Sequence, residues 1–245
     1  MQVSKYNASG NDFVIFHTFL EKDYSELAKK LCHRQKGVGA DGLIVLVPNS
    51  ECDFKWLFYN SDGSHAAMCG NGTRACAHYA FANGLANEEM TFLTDAGLIS
   101  SIVDKNKVES ELTEVKNLAD KFTDMDKEWH FYDTGVPHLV CIVKNLQEYD
   151  KELASKMRYK YNANVNFVLF DGESLHVRTY ERGVEDETGA CGTGMAACFY
   201  TLHVENVIGE SIKVYPTSKE ELNLRIANGR LFFKGEVEKV FETNI

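Results

Sequence analysis

Short apolar runs and alternating segments dominate the chain and predict a protein built mainly from strands. Apolar residues are continuous in FVIF at 13–16 and in LIVLV at 43–47. In DFKWLFYN at 53–60 they alternate with polar residues, which is typical of a strand with one face in a core. These patterns recur in the second half, so we expect strands throughout the chain.

Helical spacing of apolar residues is confined to a few segments. One runs over 23–32, where Asp23 is a candidate N-cap with Glu26 three residues later. Another lies at about 150–160. Residues 114–130 are polar and poorly patterned, and we therefore place a domain boundary near 115.

One pattern occurs twice and organises the rest of the chain. MCGNGTRACAHY at 68–79 and ACGTGMAACFY at 190–200 each set a cysteine before Gly-x-Gly and then continue with helical spacing. The elements around the two copies follow the same order. We therefore predict an α+β protein of two pseudo-symmetric domains, each a largely antiparallel β-sheet wrapped on a central helix. A doubly wound parallel sheet fits less well, because the strands are too many and the helices too few.

The repeated loop has a chemistry of its own. Glycines before a helix let backbone N–H groups converge, and a helix N-terminus adds unpaired donors and a partial positive charge, which together can hold an anion. The same field lowers the pKa of a cysteine beside it and so favours the thiolate. A single cysteine in such a place is more often a packing residue. Two cysteines at equivalent positions, Cys69 and Cys191, favour a paired function instead.

Composition narrows the class of protein. The formal charge is −10 over 245 residues, and no basic stretch offsets it, which argues against a nucleic-acid partner. The N-terminal segment lacks the apolar core of a signal peptide, and no run approaches the length of a membrane span, so we expect a cytoplasmic protein. Seven cysteines without a regular framework indicate free thiols.

Several motifs together resemble the diaminopimelate epimerase family over nearly the full length of the chain. They are ASGNDF at 8–13, YNSDGS at 59–64, MCGNGTR at 68–74, NVNFV at 164–168 and YERGVEDETGACGTG at 180–194. The resemblance implies an isomerase that interconverts LL- and meso-2,6-diaminopimelate in lysine and peptidoglycan precursor synthesis. It implies no pyridoxal cofactor and no metal. The only binding partner that it implies for the protein is the amino-acid substrate. It further implies an active site in the cleft between two domains. The first domain would comprise residues 1–115 with a return strand at 236–245, and the second would comprise residues 116–235.

The resemblance also implies roles for individual residues. Cys69 and Cys191 would be the acid and base, Glu181 would bind an amino group, and His138 would help to order the site. Binding of the two substrate carboxylates and the reacting centre would fall to Asn11, Asn60, Gly70, Asn71, Asn164, Arg182, Gly192 and Thr193. From the residues alone, Glu181 and Arg182 could equally form an ordinary ion pair, and His138 could be a satisfied structural histidine.

Two positions depart from the family pattern. Gly42 stands where the family commonly has Gln, and Val136 stands where it commonly has Asn. Alternative functions therefore stay open. One is another cofactor-independent racemase of the proline or histidine type, and the other is a thiol redox or amino-acid-binding protein. The sequence does not assign the oligomeric state, for which a homodimer is one option.

Overall fold

The computed structural model describes residues Met1–Ile245 and divides into two compact units. Unit 1 comprises Met1–Glu111 and Lys234–Ile245, and unit 2 comprises Leu112–Phe233. The chain forms 17 strands, four α-helices and one short 3-10 helix. The α+β class predicted from the sequence is thus confirmed, with strands in the majority.

The elements follow one another closely along the chain. The first part contains β1 (Gln2–Ala8), β2 (Asn11–His17), α1 (Ser25–Cys32), β3 (Gly42–Val47), β4 (Phe54–Asn60), α2 (Gly70–Ala82), β5 (Glu89–Thr94), β6 (Gly97–Asp104) and β7 (Lys107–Glu111). The second contains β8 (Lys116–Asp124), β9 (Lys127–Asp133), β10 (Pro137–Ile142), the 3-10 helix (Leu146–Glu148), α3 (Lys151–Tyr161), β11 (Asn164–Phe170), β12 (Ser174–Glu181), β13 (Asp186–Thr188), α4 (Gly192–Val204), β14 (Ser211–Pro216) and β15 (Leu222–Ala227). The last strands are β16 (Arg230–Glu236) and β17 (Glu238–Asn244).

Strand pairing follows the same order in the two units. In unit 1, β1 and β2 are antiparallel, β2 and β3 parallel, β3 and β4 antiparallel, β4 and β5 parallel, and β5 and β6 antiparallel. Unit 2 repeats this order with β9, β10, β11, β12, β14 and β15. In each unit one helix connects the first parallel pair and the cysteine-led helix connects the second. The sequence duplication therefore corresponds to a duplicated order of elements.

The continuous apolar runs are strands of unit 1 that are buried on both faces. Along β2, Phe13 and Ile15 point into a cluster packed against α2, whereas Val14 and Phe16 point into a cluster packed against α1. Strand β3 divides its side chains between the same two clusters. Two covered faces explain why these segments show no polar alternation.

The two cysteine-led helices are buried almost all round. In α2 most residues from Gly70 to Ala80 are buried, and in α4 so are most from Gly192 to Leu202. Glycine and alanine fill much of both helices, so neighbouring strands approach their backbones closely. Each helix is therefore held firmly at the end where its cysteine lies.

Two expectations about local structure need correction. Residues 114–130, read as poorly patterned, include strand β8 and the start of β9, which form an antiparallel hairpin. Strand β8 is exposed along nearly its whole length, so neither face selects apolar residues and no alternation arises. Helix α1 begins at Ser25 with Tyr24 in the N-cap position, and Asp23 bonds the backbone and hydroxyl of Ser25 from one residue earlier. None of the helices combines the length and apolar character needed to cross a membrane.

Candidate active site

Cys69 is the N-cap residue of helix α2 in unit 1. Its backbone is extended, its carbonyl accepts the first helical hydrogen bond from the Thr73 amide at 2.8 Å, and its sulfur accepts from the Gly72 amide at 3.4 Å. The amides of Gly70 and Asn71 begin the helix and have no acceptor within it. A partly exposed thiol thus lies beside the donor end of a buried helix.

Asn11 holds the other side of the Cys69 sulfur. The thiol donates to Oδ1 of Asn11 at 3.5 Å, and Nδ2 of Asn11 donates to the Asp41 carboxylate at 2.8 Å. Arg34 bonds both Asp41 and Asp12, at 2.7 Å and 2.9 Å. Burial alone would raise the pKa of Asp12, but hydrogen bonds from Arg34 and Lys5 outweigh it and lower that pKa. A charged network therefore supports the Asn11 amide from behind.

The side chain of Asn71 serves the structure of helix α2. Its Oδ1 accepts from the fully buried guanidinium of Arg74 at 2.7 Å, and Arg74 also bonds Ser9 at 2.8 Å and the Glu236 carbonyl at 3.2 Å. This arrangement ties the first turn of the helix to the loop after β1. It leaves the backbone amide of Asn71 as the group that can bind an anion.

Cys191 occupies the same position in unit 2, as the N-cap residue of helix α4. Its carbonyl accepts from the Met195 amide at 2.9 Å. The Cys191 side chain makes no cap hydrogen bond to the amides of the first turn. The hydroxyl of Thr193 lies 3.6 Å from the Cys191 sulfur. The Thr193 carbonyl accepts from the hydroxyl of Thr134 at 2.9 Å, which fixes the first turn of the helix.

His138 is a fully buried residue of β10 that contacts this turn. Its Nε2 lies 2.9 Å from Oγ1 of Thr193, and its Nδ1 lies 3.0 Å from the amide nitrogen of Asn166. Burial lowers the pKa of His138 to about 3, and the positive charge of Arg182 acts in the same direction. The imidazole is therefore neutral at physiological pH.

Asn164 begins β11, Glu181 ends β12, and Arg182 follows in the next turn, so the three lie near one another in unit 2. Oδ1 of Asn164 accepts from the Arg182 backbone amide at 2.8 Å. The Arg182 guanidinium donates to the Asn162 carbonyl at 3.0 Å, and the Glu181 carboxylate accepts from Thr188 at 2.8 Å. Glu181 and Arg182 thus bond other groups rather than each other. Burial raises the pKa of Glu181, with the Thr188 hydrogen bond acting in the opposite direction.

Asn60 and Gly42 lie at strand ends, and Val136 lies in the short connection between β9 and β10. Asn60 ends β4 and donates to the hydroxyl of Ser64 at 2.9 Å. Gly42 pairs with Asn60 across β3 and β4, and a Cβ atom there would lie 2.6 Å from the ring of Phe58. Val136 is half-buried, and its carbonyl accepts from the Thr134 amide at 3.2 Å.

No group of three or more histidine, cysteine, aspartate or glutamate side chains is arranged to hold a metal ion. None of the seven cysteines forms a disulfide bond. Cys76 and Cys198, which recur in the duplicated pattern, are buried in the two helices, and burial raises the pKa of both well above the ordinary value. They are packing residues in this structure, in contrast to the two N-cap cysteines.

Comparison with known proteins identifies the family. The family model for diaminopimelate epimerase matches residues 3–118 and 130–240. The diaminopimelate epimerase of Nitratiruptor sp. is 59% identical over 244 residues, covering 99% of this chain and 98% of that protein. The enzyme of Campylobacter jejuni is 52% identical over 245 residues, covering 100% and 98%.

The chain belongs to the diaminopimelate epimerase family. Its fold also matches a solved hydroxyproline epimerase from Agrobacterium vitis, with a TM-score of 0.75 over 99% of this chain and 91% of the other, at 15% identity. At that identity the likeness concerns the fold alone. The family model and the two relatives confirm the resemblance found in the sequence motifs.

Within this member of the diaminopimelate epimerase family, the structure adds residues that the motifs did not single out. Asp41 orients Asn11, Thr134 holds the Thr193 carbonyl, and Asn166 contacts His138. A signal for Asn166 was present, since it lies two residues after Asn164 in a strand and therefore on the same face. Nothing in the local sequence connects Asp41 to Asn11, because they are joined only when β2 and β3 pair.

Proposed function

We propose that this chain interconverts LL- and meso-2,6-diaminopimelate as a step of lysine biosynthesis. One thiolate removes the hydrogen at an α-carbon as a proton, and a thiol on the opposite face delivers a different proton to the carbanion. The bond to the first hydrogen breaks and a bond to the second forms, so the configuration inverts. The two sulfurs end with their protonation states exchanged, and the chemistry requires no cofactor.

One observation carries the proposal beyond the family match. Each unit sets a cysteine at the N-cap of its buried helix, at the same point in the order of strands and helices. Cys69 and Cys191 would thus be the acid and base. Residues 1–115 with 236–245, and residues 116–235, would form the two pseudo-symmetric domains that supply them.

The remaining site residues would recognise a substrate that carries charge at both ends. Backbone amides of Gly70, Asn71, Gly192 and Thr193 would bind the reacting carboxylate, because the first turn of a helix offers free donors to an anion. Asn11 would lie at the reacting centre. The planar fork of Arg182, with Asn60 and Asn164, would bind the distal carboxylate, and Glu181 would bind an ammonium group.

The test is an assay for isomerisation of LL-diaminopimelate in D2O. Deuterium should appear at one α-carbon of the product, without added pyridoxal phosphate or metal. Cys69→Ala and Cys191→Ala should each lower turnover at least about a hundredfold, because each removes a proton carrier. Cys52→Ala is the matched control, since Cys52 is a half-exposed thiol bonded to Asn49 and the Phe54 carbonyl.

Activity retained in either N-cap variant would contradict the two-thiol mechanism. A panel that includes L-proline and L-histidine would test the alternative racemase function in the same assay. Faster conversion of one of these than of LL-diaminopimelate would replace the proposed substrate and leave the mechanism intact.

A further inference from the structure

Asn166 is a buried polar residue whose orientation is set by three hydrogen bonds. Its amide nitrogen donates to the Leu139 carbonyl at 2.8 Å and lies 3.0 Å from Nδ1 of His138. Its amide oxygen accepts from the hydroxyl of Thr179 at 2.8 Å. Because a carbonyl can only accept, the nitrogen must face Leu139 and the amide cannot turn over.

This orientation determines the tautomer of His138. Nδ1 faces an N–H donor, so it must accept, and the one hydrogen of the neutral imidazole is on Nε2. The nearest acceptor for that hydrogen is Oγ1 of Thr193, at 2.9 Å. The amide nitrogen of Asn164 is 3.4 Å from the same Nε2, but it donates to the Pro137 carbonyl at 3.3 Å, and two donors do not bond each other.

The direction of these bonds continues to the cysteine. Thr193 accepts from His138, so its own hydroxyl hydrogen is available to the Cys191 sulfur 3.6 Å away. Each bond from Asn166 through His138 to Thr193 therefore points toward Cys191. A donor directed at sulfur stabilises the thiolate relative to the thiol.

We propose that Asn166 is a positioning residue for Cys191, which it supports by holding His138 as the Nε2–H tautomer so that Thr193 donates to the sulfur. The catalytic meaning of this inference rests on the proposed function. The hydrogen bonds are independent of it. The other titratable groups that interact here are Cys198, a buried thiol on the same helix, and Arg182, whose charge acts on His138.

The packing of helix α4 provides an independent reason for this arrangement. Gly194 lies so close to Oδ1 of Asn166 that a Cβ atom there would overlap it. The second glycine of the Cys-Gly-Thr-Gly segment thus admits the Asn166 amide beside the first turn of the helix. Without that glycine, the amide and the turn that carries Thr193 could not both keep their places.

The first measurement is the tautomer of His138, by ¹⁵N NMR of histidine-labelled protein, with the His138→Gln variant to assign its signals. We expect a neutral Nε2–H imidazole from pH 5 to 9. In Asn166→Asp the carboxylate accepts where the amide donated, so His138 should change to the Nδ1–H tautomer. An Nδ1–H or charged imidazole in the unmodified protein, or an unchanged tautomer in Asn166→Asp, would overturn the proposal.

The second measurement is the pH dependence of Cys191 alkylation by iodoacetamide, followed by peptide mass spectrometry. Rates are compared with the high-pH plateau of the same cysteine, which removes differences in accessibility. Thr193→Val should raise the pH of half-maximal rate by about one unit or more, because it removes a hydrogen bond to a charged group. Thr193→Ser keeps the hydroxyl and should restore the original midpoint.

Equal midpoints in Thr193→Val and the unmodified protein would refute the role of the hydroxyl. This pair of variants also covers the case in which Asn166→Asp does not fold. Neither alkylation nor NMR requires turnover. A failure of the diaminopimelate assay would therefore leave this inference standing, and a failure here would leave the proposed reaction standing.

Discussion

The side-chain nitrogen of Asn11 lies 2.8 Å from a carboxylate oxygen of Asp41, and this contact turns the amide oxygen toward Cys69. A carboxylate can only accept, so it selects one orientation of the amide. Asp41→Asn would remove that selection, because an amide at position 41 can donate or accept.

We expect Asp41→Asn to lower kcat/KM for diaminopimelate about tenfold, the size of one lost hydrogen bond. Its effect on unfolding should be small, since 44% of the Asp41 side chain is exposed. Asp104→Asn, at an exposed hairpin position, serves as the control and should behave as the unmodified protein. An Asp41→Asn enzyme with unchanged kcat/KM would show that Asn11 needs no such support.

Gly42 is constrained by the residues that pack against it. A Cβ atom at this position would lie 2.6 Å from Cε2 of Phe58 and 2.9 Å from the Tyr59 carbonyl. Phe58 is buried in the α2 cluster and has little room to move. Gly42→Ala should therefore reduce the free energy of unfolding by about 1–3 kcal/mol, as overpacking of a core does.

Denaturant unfolding of Gly42→Ala and Gly209→Ala makes this comparison directly. Gly209 has no heavy atom within 4 Å of its Cβ position, so its substitution should change the stability by no more than about 0.5 kcal/mol. If both variants unfold at the same denaturant concentration as the parent, Phe58 does not occupy the space beside Gly42.

His138 should make stability depend on pH. Its folded-state pKa is lowered to about 3 from an ordinary value of about 6.5, mainly by burial. Between these values the unfolded chain binds a proton that the folded chain does not. The contribution of neutral His138 to the free energy of unfolding is thus fully present above pH 6.5. Below that pH it is lost by about 1.4 kcal/mol per pH unit.

Unfolding free energies of the unmodified protein and His138→Gln, measured from pH 7 to pH 4.5, test this slope. The difference between the two proteins should shrink as the pH falls. His33→Gln, which changes an exposed histidine, should keep the slope of the parent. Parallel curves for His138→Gln and the parent would mean that His138 does not stay neutral in the folded state.

Arg182 and Val136 test the recognition of the distal carboxylate. The Val136 side chain cannot donate a hydrogen bond, and Val136 contributes to the turn through its carbonyl, which accepts from the Thr134 amide. Arg182 should then carry more of the recognition. We expect Arg182→Ala to lose diaminopimelate turnover almost completely, whereas Val136→Asn keeps it and lowers KM roughly tenfold or more, by adding a bond to a charged group.

Steady-state kinetics with LL-diaminopimelate and with a shorter amino acid lacking the distal carboxylate separate binding from chemistry. Arg182→Ala should affect the longer substrate far more than the shorter one. Two results would contradict the assignment of Arg182 to the distal carboxylate. One is intact diaminopimelate turnover in Arg182→Ala, and the other is a preference of the unmodified enzyme for the shorter substrate.

The sequence by itself determined the α+β class, the duplication and the two cysteine-led helices. These features are local, because a Gly-x-Gly segment, an N-cap and a helical stripe depend on residues close together in the chain. The family followed from the same motifs. The sequence pattern does not predict strand β8, because a strand that buries neither face carries no alternation.

Only the tertiary structure decided what supports each cysteine. Asn11 meets Asp41 because β2 and β3 pair in parallel, and Asn166 meets His138 because β10 and β11 do. Such contacts join residues that are distant in the chain, so no local pattern encodes them. The direction of each hydrogen bond, and with it the tautomer of His138, depends on the buried acceptors that the fold brings to each amide.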